Sequence, residues 1–145
     1  MKPTIHLTNW SSRKLHGPGR RWTIMVLPRE WEHGDGRVQL LQPEAHDLRA
    51  VKAGRMTPAD YERTFRQHLA IVQEDMEPGR LHATEGGGLP PVLTPVRDGD
   101  TLLCACSKAE AAAGRCHRVW AAEALVRAGW RVVLDGCELP EVPQC

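Results

Sequence analysis

The sequence predicts an α/β fold, built as a three-layer sandwich around a mostly parallel sheet of about four strands. The clearest signal is a short apolar strand over Thr101–Cys106, a helix over Cys116–Ala128 and a last strand over Trp130–Leu134. A strand, a helix and a strand at this spacing form a right-handed crossover, in which the two strands run parallel. Two earlier segments of strand character, Thr4–Trp10 and Trp22–Leu27, complete the predicted sheet.

Two further helices are predicted in the first half of the chain. Pro43–Lys52 is a short helical segment, and Thr57 and Pro58 suit the N-cap and the first turn of a second helix. In the second helix apolar residues recur every three or four positions, which predicts a stripe facing the core: Tyr61, Phe65, Leu69, Val72 and Met76. The segment 78–95 is rich in glycine and proline and is predicted to be a flexible connection.

Length and composition indicate a single α/β domain spanning residues 1–145. The chain has 145 residues, of which 41% are hydrophobic and 26% charged, which are ordinary values for one globular domain. No apolar run approaches the roughly 18 residues of a membrane span, and the start lacks the order of a secretory signal. The five cysteines all lie in the last third of the chain, which is typical of reduced thiols. We therefore expect a cytoplasmic protein with no membrane partner.

Basic residues are concentrated at the start of the chain. The first 29 residues contain six basic and no acidic side chains, whereas the formal net charge of the whole chain is only +1. A local basic zone on a mildly acidic remainder favours a small anionic or nucleotide-derived ligand. Nucleic-acid binding through this basic segment is an alternative hypothesis, and a solvated patch without a partner is another.

The side chains best suited to catalysis or ligand binding lie where the predicted sheet meets the last helix. Cys104 and Cys106 fall at the carboxyl end of their strand, and residues two apart point to the same face, so the two thiols are expected to converge. Cys116, His117 and Arg118 open the following helix. A helix N-terminus lowers the pKa of a thiol, which predicts Cys116 as a reactive thiolate, His117 as an acid or base, and Arg118 as an anion ligand.

The end of the first strand adds polar side chains beside this cluster, provided that the two strands are neighbours. Ligands of open parallel sheets bind beyond the carboxyl ends of the strands. A ligand-binding contribution is therefore predicted for the polar residues that end the first strand, together with the strand cysteines: Asn9, Ser11, Ser12, Arg13, Cys104 and Cys106.

Three interpretations of the cysteine cluster remain open. In the first it is a catalytic or ligand-binding pocket for a small anionic or nucleotide-derived molecule. In the second it holds zinc in an interaction module, with three sulfurs and one nitrogen as ligands: Cys104, Cys106, Cys116 and His117. Adjacent helical residues diverge by about 100°, which weighs against Cys116 and His117 sharing one ion. In the third the cysteines fill the core, and His117 and Arg118 cap and solubilise a helix.

At these residues the chain resembles a known family, domain of unknown function family 488. The resemblance is carried by Leu102-Leu103-Cys104, by Cys116-His117-Arg118 after a variable loop, and by Ala121–Leu125. The stretch Cys104–Lys108 is also similar to the neighbouring domain of unknown function family 4326, which has C-x-C-K before C-H. The match covers roughly Thr101–Leu134. It implies a Rossmann-like sandwich with a polar pocket that holds the motif residues, as in small actinobacterial and phage proteins, and it implies no particular substrate.

Overall fold

A computed structural model describes residues 1–25, 34–86, 92–106 and 116–140 of the chain. The α-helices of these ranges are α1 Ala45–Lys52, α2 Pro58–Ile71 and α3 His117–Ala128. The strands are β1 Thr4–Asn9, β2 Arg21–Thr23, β3 Gly36–Arg37, β4 His82–Glu85, β5 Val92–Pro95, β6 Thr101–Cys104, β7 Arg131–Leu134 and β8 Cys137–Glu138. The α/β class is therefore confirmed. Within the same ranges no helix has both the length and the apolar composition that a bilayer crossing requires.

The strands form one mixed sheet in the order β5-β4-β3-β2-β6-β1-β7-β8. Its centre is parallel, because β1 pairs in parallel with β6 on one side and β7 on the other, and β2 pairs in parallel with β6 and β3. The predicted crossover from β6 through α3 to β7 thus joins two strands of the same direction, with β1 between them. Leu102 and Leu103 point to opposite faces of β6 and both are fully buried, as the continuous apolar run indicates.

The sheet is larger than predicted, and part of it is antiparallel. β4 pairs antiparallel with β3 and β5, and β8 pairs antiparallel with β7. Both β4 and β5 lie inside the segment 78–95, where the composition predicts a flexible connection. Strands of two to four residues carry too little alternation to be recognised alone, because each is fixed mainly by the strand that it pairs with. The prediction of about four mostly parallel strands is therefore wrong in number and partly wrong in direction.

The ends of the strands differ slightly from the prediction. β1 ends at Asn9, one residue early, and β6 ends at Cys104, so that Cys106 belongs to the loop that follows the sheet. β2 ends at Thr23, and the last two residues of the predicted strand, Val26 and Leu27, lie outside the described residues. The carboxyl ends of β1 and β6 are thereby placed side by side.

α2 begins and α3 ends where the capping signals predict, whereas α1 begins at Ala45, two residues after the predicted Pro43. Thr57 Oγ1 accepts a hydrogen bond from the Asp60 backbone N–H at 3.1 Å, and Pro58 stands in the first turn of α2. α3 ends at Gly129, whose φ of +108° is a left-handed conformation that glycine adopts without strain. The core stripe of the α2 region is confirmed, with these members buried: Tyr61, Phe65, Leu69 and Met76.

α3 is the helix that places the candidate site. It packs on β1 and β7 and against α2, and α2 in turn contacts α1. Trp120 of α3 meets Tyr61 of α2 edge to face, with ring centroids 5.8 Å apart. Because α3 is covered by α2 on one side and by the sheet on the other, even its polar first residues, His117 and Arg118, are buried. The N-terminus of α3 is held against the carboxyl end of β6.

Candidate functional site

Cys116, His117 and Arg118 stand at the start of α3, as predicted. Cys116 is the N-cap residue, with extended backbone angles, and its carbonyl accepts a hydrogen bond from the Val119 N–H at 3.0 Å. His117 and Arg118 are the first two helical residues. The three side chains consequently leave the backbone in different directions, and each has a different environment.

Three sulfur atoms converge between β6 and α3. The Sγ atoms of Cys104 and Cys116 are 3.4 Å apart, and the Sγ atoms of Cys104, Cys106 and Cys116 all lie within 4.8 Å of one another. Cys104 and Cys116 have no exposed surface, whereas Cys106 is partly exposed. The convergence of Cys104 with Cys106 agrees with their spacing of two residues, and the crossover brings Cys116 back to the end of β6. Together these three side chains form what we call the trithiol cluster.

Arg118 binds the trithiol cluster from its buried side. Its Nη1 donates to the Cys104 sulfur at 3.0 Å and to the Cys106 carbonyl at 2.8 Å, and lies 3.8 Å from the Cys116 sulfur. The side chain has no exposed surface. Its Nη2 and Nε atoms face Asp135 Oδ2 at 3.1 and 3.4 Å. A fully buried guanidinium thus joins the sulfurs to a carboxylate.

Asp135 is a site residue that sequence reasoning missed. It follows β7 with a φ of +49°, and its backbone N–H donates to the Leu7 carbonyl of β1 at 2.8 Å. With Gly136, at a φ of +84°, it forms the tight turn between β7 and β8. The available signal was an Asp-Gly pair directly after the last predicted strand, because side chains at such positions lie at the same sheet edge as Cys104.

The pKa values of Cys104 and Cys116 are shifted in opposite directions. Burial raises the pKa of Cys104, but hydrogen bonds from the Cys106 and Cys116 thiols and the positive charge of Arg118 outweigh it and hold that pKa well below its ordinary value. The hydrogen bond to Cys104 raises the pKa of Cys116. These directions favour Cys104 over Cys116 as the thiolate, and the reactive part that the sequence assigns to Cys116 stays a prediction.

His117 does not belong to the trithiol cluster. Its Nε2 donates to the Ile24 carbonyl at 2.8 Å, and its ring meets Phe65 edge to face at 5.9 Å. The residue is 9% exposed, and burial lowers the pKa of the imidazole, which favours the neutral ring. The expected divergence of Cys116 and His117 is thus confirmed. The four-ligand zinc set is wrong in its fourth member, because the cluster that lies within metal-binding distance contains only the three sulfurs.

Asn9 is the residue of the first strand that reaches the site. It is the direct neighbour of Cys104 in the parallel pairing of β1 and β6, and the next backbone N–H, that of Trp10, donates to the Cys104 carbonyl at 3.2 Å. Asn9 Oδ1 accepts from the Ser11 hydroxyl at 3.0 Å and from the Ser12 N–H at 2.8 Å. The predicted strand neighbourhood is therefore confirmed, and the two serines fold back onto Asn9.

Arg13 is exposed, whereas Arg118 is buried. Arg13 lies on an exposed single turn of 3-10 helix, Arg13–Leu15. Among the described residues, the guanidinium that bonds to the sulfurs is that of Arg118. The anion-binding part that the sequence assigns to Arg13 remains a prediction.

Three polar atoms near the site are buried and have no hydrogen-bond partner within the described structure. They are Thr8 Oγ1, Trp10 Nε1 and Asp135 Oδ1. Thr8 and Trp10 lie at the carboxyl end of β1, and Asp135 lies just beyond β7, its neighbour. Thr8 pairs with Leu103 and Asn9 pairs with Cys104, so the Thr8 side chain faces the other side of the sheet from the Cys104 sulfur. Asp135, by contrast, contacts Arg118 through its other carboxylate oxygen.

Comparison of the chain with protein-family models, with curated proteins and with solved structures finds no match. The resemblance to domain of unknown function family 488 accordingly rests on the motif residues alone and stays a prediction. Function has to be argued from the geometry of the trithiol cluster and of Arg118.

Accessibility predicts which thiols react first. In metal-free native protein we expect a small alkylating reagent to modify Cys106 and exposed Cys137 at least about tenfold faster than Cys104 and Cys116, because the latter two have no exposed surface. Timed alkylation followed by peptide mass mapping measures the four rates, and the same experiment in denaturant should make them similar. Faster modification of Cys116 than of Cys106 in the native protein would contradict this ordering.

Proposed function

We propose that the chain binds a zinc ion through the sulfurs of Cys104, Cys106 and Cys116. The observation that carries this proposal is the mutual approach of the three Sγ atoms, all within 4.8 Å of one another. Zinc–sulfur bonds of about 2.3 Å in tetrahedral geometry place neighbouring sulfurs about 3.8 Å apart. The 3.4 Å between Cys104 and Cys116 and the 4.8 Å limit bracket that spacing, so small side-chain rotations suffice to hold the ion.

The charges around the trithiol cluster suit such an ion. Three thiolates around Zn²⁺ carry one net negative charge, which the buried guanidinium of Arg118 offsets. The N–H of Arg118 that donates to the Cys104 sulfur at 3.0 Å would act as an outer-shell partner, orienting a ligand without binding the metal. Asp135 in turn fixes the guanidinium through Oδ2.

A zinc ion with three protein ligands keeps one position for a small ligand. Catalytic zinc sites are built in this way, whereas structural sites are closed by a fourth side chain. His117 is turned to the Ile24 carbonyl, which leaves the fourth position for water or for a small anionic or nucleotide-derived molecule. Asp135 Oδ1, which has no partner within the described structure, belongs to the carboxylate that binds Arg118 and is available to a polar group of such a ligand.

The metal proposal predicts a selective loss of zinc affinity. Replacement of Cys104, Cys106 or Cys116 by serine should each weaken zinc binding by on the order of 100-fold or more, since even an outer-shell partner is worth 10- to 100-fold. Cys137→Ser is the matched control, because Cys137 is an exposed cysteine of β8 and should leave affinity unchanged. Competition titration with a chromophoric chelator gives the affinities, and cobalt substitution reports sulfur ligation through its charge-transfer band.

Two results would contradict the metal proposal. One is zinc at well below one ion per chain in protein prepared without chelator, with no loss of stability when chelator is added. The other is an equal loss of affinity in Cys137→Ser and Cys106→Ser. Either result would leave the second candidate function.

The second candidate is direct thiol chemistry on a small anionic or nucleotide-derived molecule, without a metal. It is favoured by the 3.0 Å hydrogen bond from Arg118 to the Cys104 sulfur, which stabilises a thiolate. In this case Cys104 takes the nucleophilic part that the sequence assigns to Cys116. Because Cys104 has no exposed surface, the side chains that cover it have to move aside for the ligand to enter. Protein that is free of zinc and fully active toward such a ligand would support this candidate over the first.

Nucleic-acid binding through the basic N-terminal segment stays an untested prediction. Within that segment Arg20 is already engaged, since it forms an ion pair with Glu85 and its guanidinium lies 4.8 Å from the Trp22 ring centroid. An affinity for nucleic acid that falls steeply with added salt would support this alternative.

A further inference from the structure

Beyond metal or ligand binding, we propose that Cys104 and Cys116 form a reversible dithiol–disulfide couple, with Cys106 as the thiol that first meets a hydroperoxide. The proposal rests on the distances and the exposure of the three sulfurs, and it does not require zinc. It assigns the cluster an activity of its own, the two-electron reduction of a hydroperoxide or the sensing of one.

The separation of Cys104 and Cys116 suits a disulfide. Their sulfurs lie 3.4 Å apart, and a disulfide bond is about 2.05 Å long, so the two atoms have to approach by little more than 1 Å. Cys104 is the last residue of β6 and Cys116 is the N-cap of α3, so each side chain lies at the end of its element. Neither element has to be broken for the bond to form.

Exposure separates the roles of the three thiols. Cys104 and Cys116 have no exposed surface, so an oxidant in solution has little direct access to them. Cys106 is partly exposed and its sulfur lies within 4.8 Å of both. Oxidising equivalents can therefore enter at Cys106 and move inward by thiol–disulfide exchange.

The chemistry balances in three steps. The Cys106 thiol gives up its proton as its sulfur attacks a hydroperoxide ROOH, which gives the sulfenic acid of Cys106. The leaving alkoxide takes that proton and becomes the alcohol ROH. The Cys104 sulfur then attacks the Cys106 sulfur, and hydroxide leaves and is protonated to water. The Cys116 sulfur finally attacks Cys104, and Cys106 leaves with the proton that Cys116 gives up. In sum two thiols and ROOH become one disulfide, ROH and water.

The final exchange is favoured by geometry. A disulfide between Cys104 and Cys106 closes a ring with only one residue between the two cysteines, whereas Cys116 approaches Cys104 from another element at 3.4 Å. Arg118 donates to the sulfur of Cys104 and to the carbonyl of Cys106, and so holds the two cysteines in fixed positions during the exchange. Added dithiol reductant returns the disulfide to two thiols and is itself oxidised to a disulfide.

Mass spectrometry of the oxidised full chain tests the proposal. Metal-free protein is treated with one equivalent of hydrogen peroxide in the presence of chelator, quenched by alkylation and weighed intact. We expect the chain to lose two hydrogen atoms and to carry two fewer alkyl groups than the reduced protein. Dithiothreitol added before the alkylation should abolish both differences. Trypsin cleaves after Lys108 and Arg115, so the expected disulfide joins two separate peptides, whereas a Cys104–Cys106 bond stays within one.

Variants assign the roles of the three thiols. Cys137→Ser should oxidise like the natural chain, and Cys106→Ser should form the same disulfide at least about tenfold more slowly, because the entry thiol is gone. Cys116→Ser should stop at the Cys104–Cys106 bond. Sulfinic acid without any disulfide, a bond that includes Cys137, or an undiminished rate in Cys106→Ser would each overturn the proposal. Since no metal is present, these results are independent of the zinc titration, and each proposal can fail alone.

Discussion

Replacement of Arg118 by methionine is expected to lower the free energy of unfolding by about 3 kcal/mol, at the lower end of the range for breaking a buried ion pair. The side chain has no exposed surface, and its loss removes one hydrogen-bond donor from each of the Cys106 carbonyl, the Cys104 sulfur and the Asp135 carboxylate. Asp135 retains 23% exposure of its side chain, so water offsets part of the cost. Urea unfolding followed by tryptophan fluorescence measures the change as a shift of midpoint at constant m-value.

Arg131→Met is the matched control for this prediction. Arg131 also binds a carboxylate through two nitrogens, with distances of 2.7 and 2.9 Å to Glu138, but both side chains are more than half exposed. Exposed ion pairs contribute little to stability, so the midpoint should hardly move. Equal losses of unfolding free energy in Arg118→Met and Arg131→Met would show that the burial of Arg118 does not contribute to stability.

Two further variants distinguish the contribution of the Arg118 charge from that of its hydrogen-bond geometry. Arg118→Lys keeps the charge but cannot donate to Cys104, the Cys106 carbonyl and Asp135 at the same time, so it should recover only part of the loss. Arg118→Met combined with Asp135→Asn removes both charges and should be more stable than Arg118→Met alone. A double variant less stable than the single one would contradict the interpretation of Asp135 as an acid left without its partner.

The parallel centre of the fold could be predicted because its signals are local. The apolar run of β6, the cap and glycine stop of α3 and the run of β7 each occupy a continuous stretch, and their order dictates a crossover. β4 and β5 lack such a signal. Val92 and Leu93 of β5 are exposed, so this edge strand shows neither alternation nor a buried run, and its pairing with β4 defines it.

The members of the candidate site could be predicted better than their roles. Spacing alone brings Cys104 beside Cys106 and turns His117 away from Cys116, as the sequence predicts. Which sulfur Arg118 approaches depends on side-chain packing within the first turn of α3, and the sequence pattern does not specify that packing. Asp135 lies 17 residues from Arg118, and the packing of α3 back onto β7 brings the two together.

Replacement of Asp100 by alanine is the second change with a large expected effect, again about 3 kcal/mol or more of unfolding free energy. Asp100 is 3% exposed and its carboxylate accepts three hydrogen bonds. Oδ1 accepts from the Arg20 N–H at 2.9 Å, and Oδ2 accepts from Trp22 Nε1 at 2.8 Å and from the Arg97 N–H at 2.9 Å. Alanine leaves all three donors without this acceptor. One of them, the indole N–H of Trp22, belongs to a fully buried side chain.

Asp98→Ala provides the comparison two residues away. Asp98 is exposed and accepts one hydrogen bond, from the Thr4 N–H at 2.7 Å, so its loss should cost about 1 kcal/mol or less. Asp100→Asn should fall between the two, because an amide oxygen still accepts while the amide nitrogen turns a donor toward donors. Asp100 connects the start of β2 to the start of β6, so its loss should loosen both strands and expose the Trp22 indole to water. A red shift of the tryptophan fluorescence would report that exposure. A midpoint in Asp100→Ala no lower than in Asp98→Ala would mean that the buried carboxylate does not tie β2 to β6.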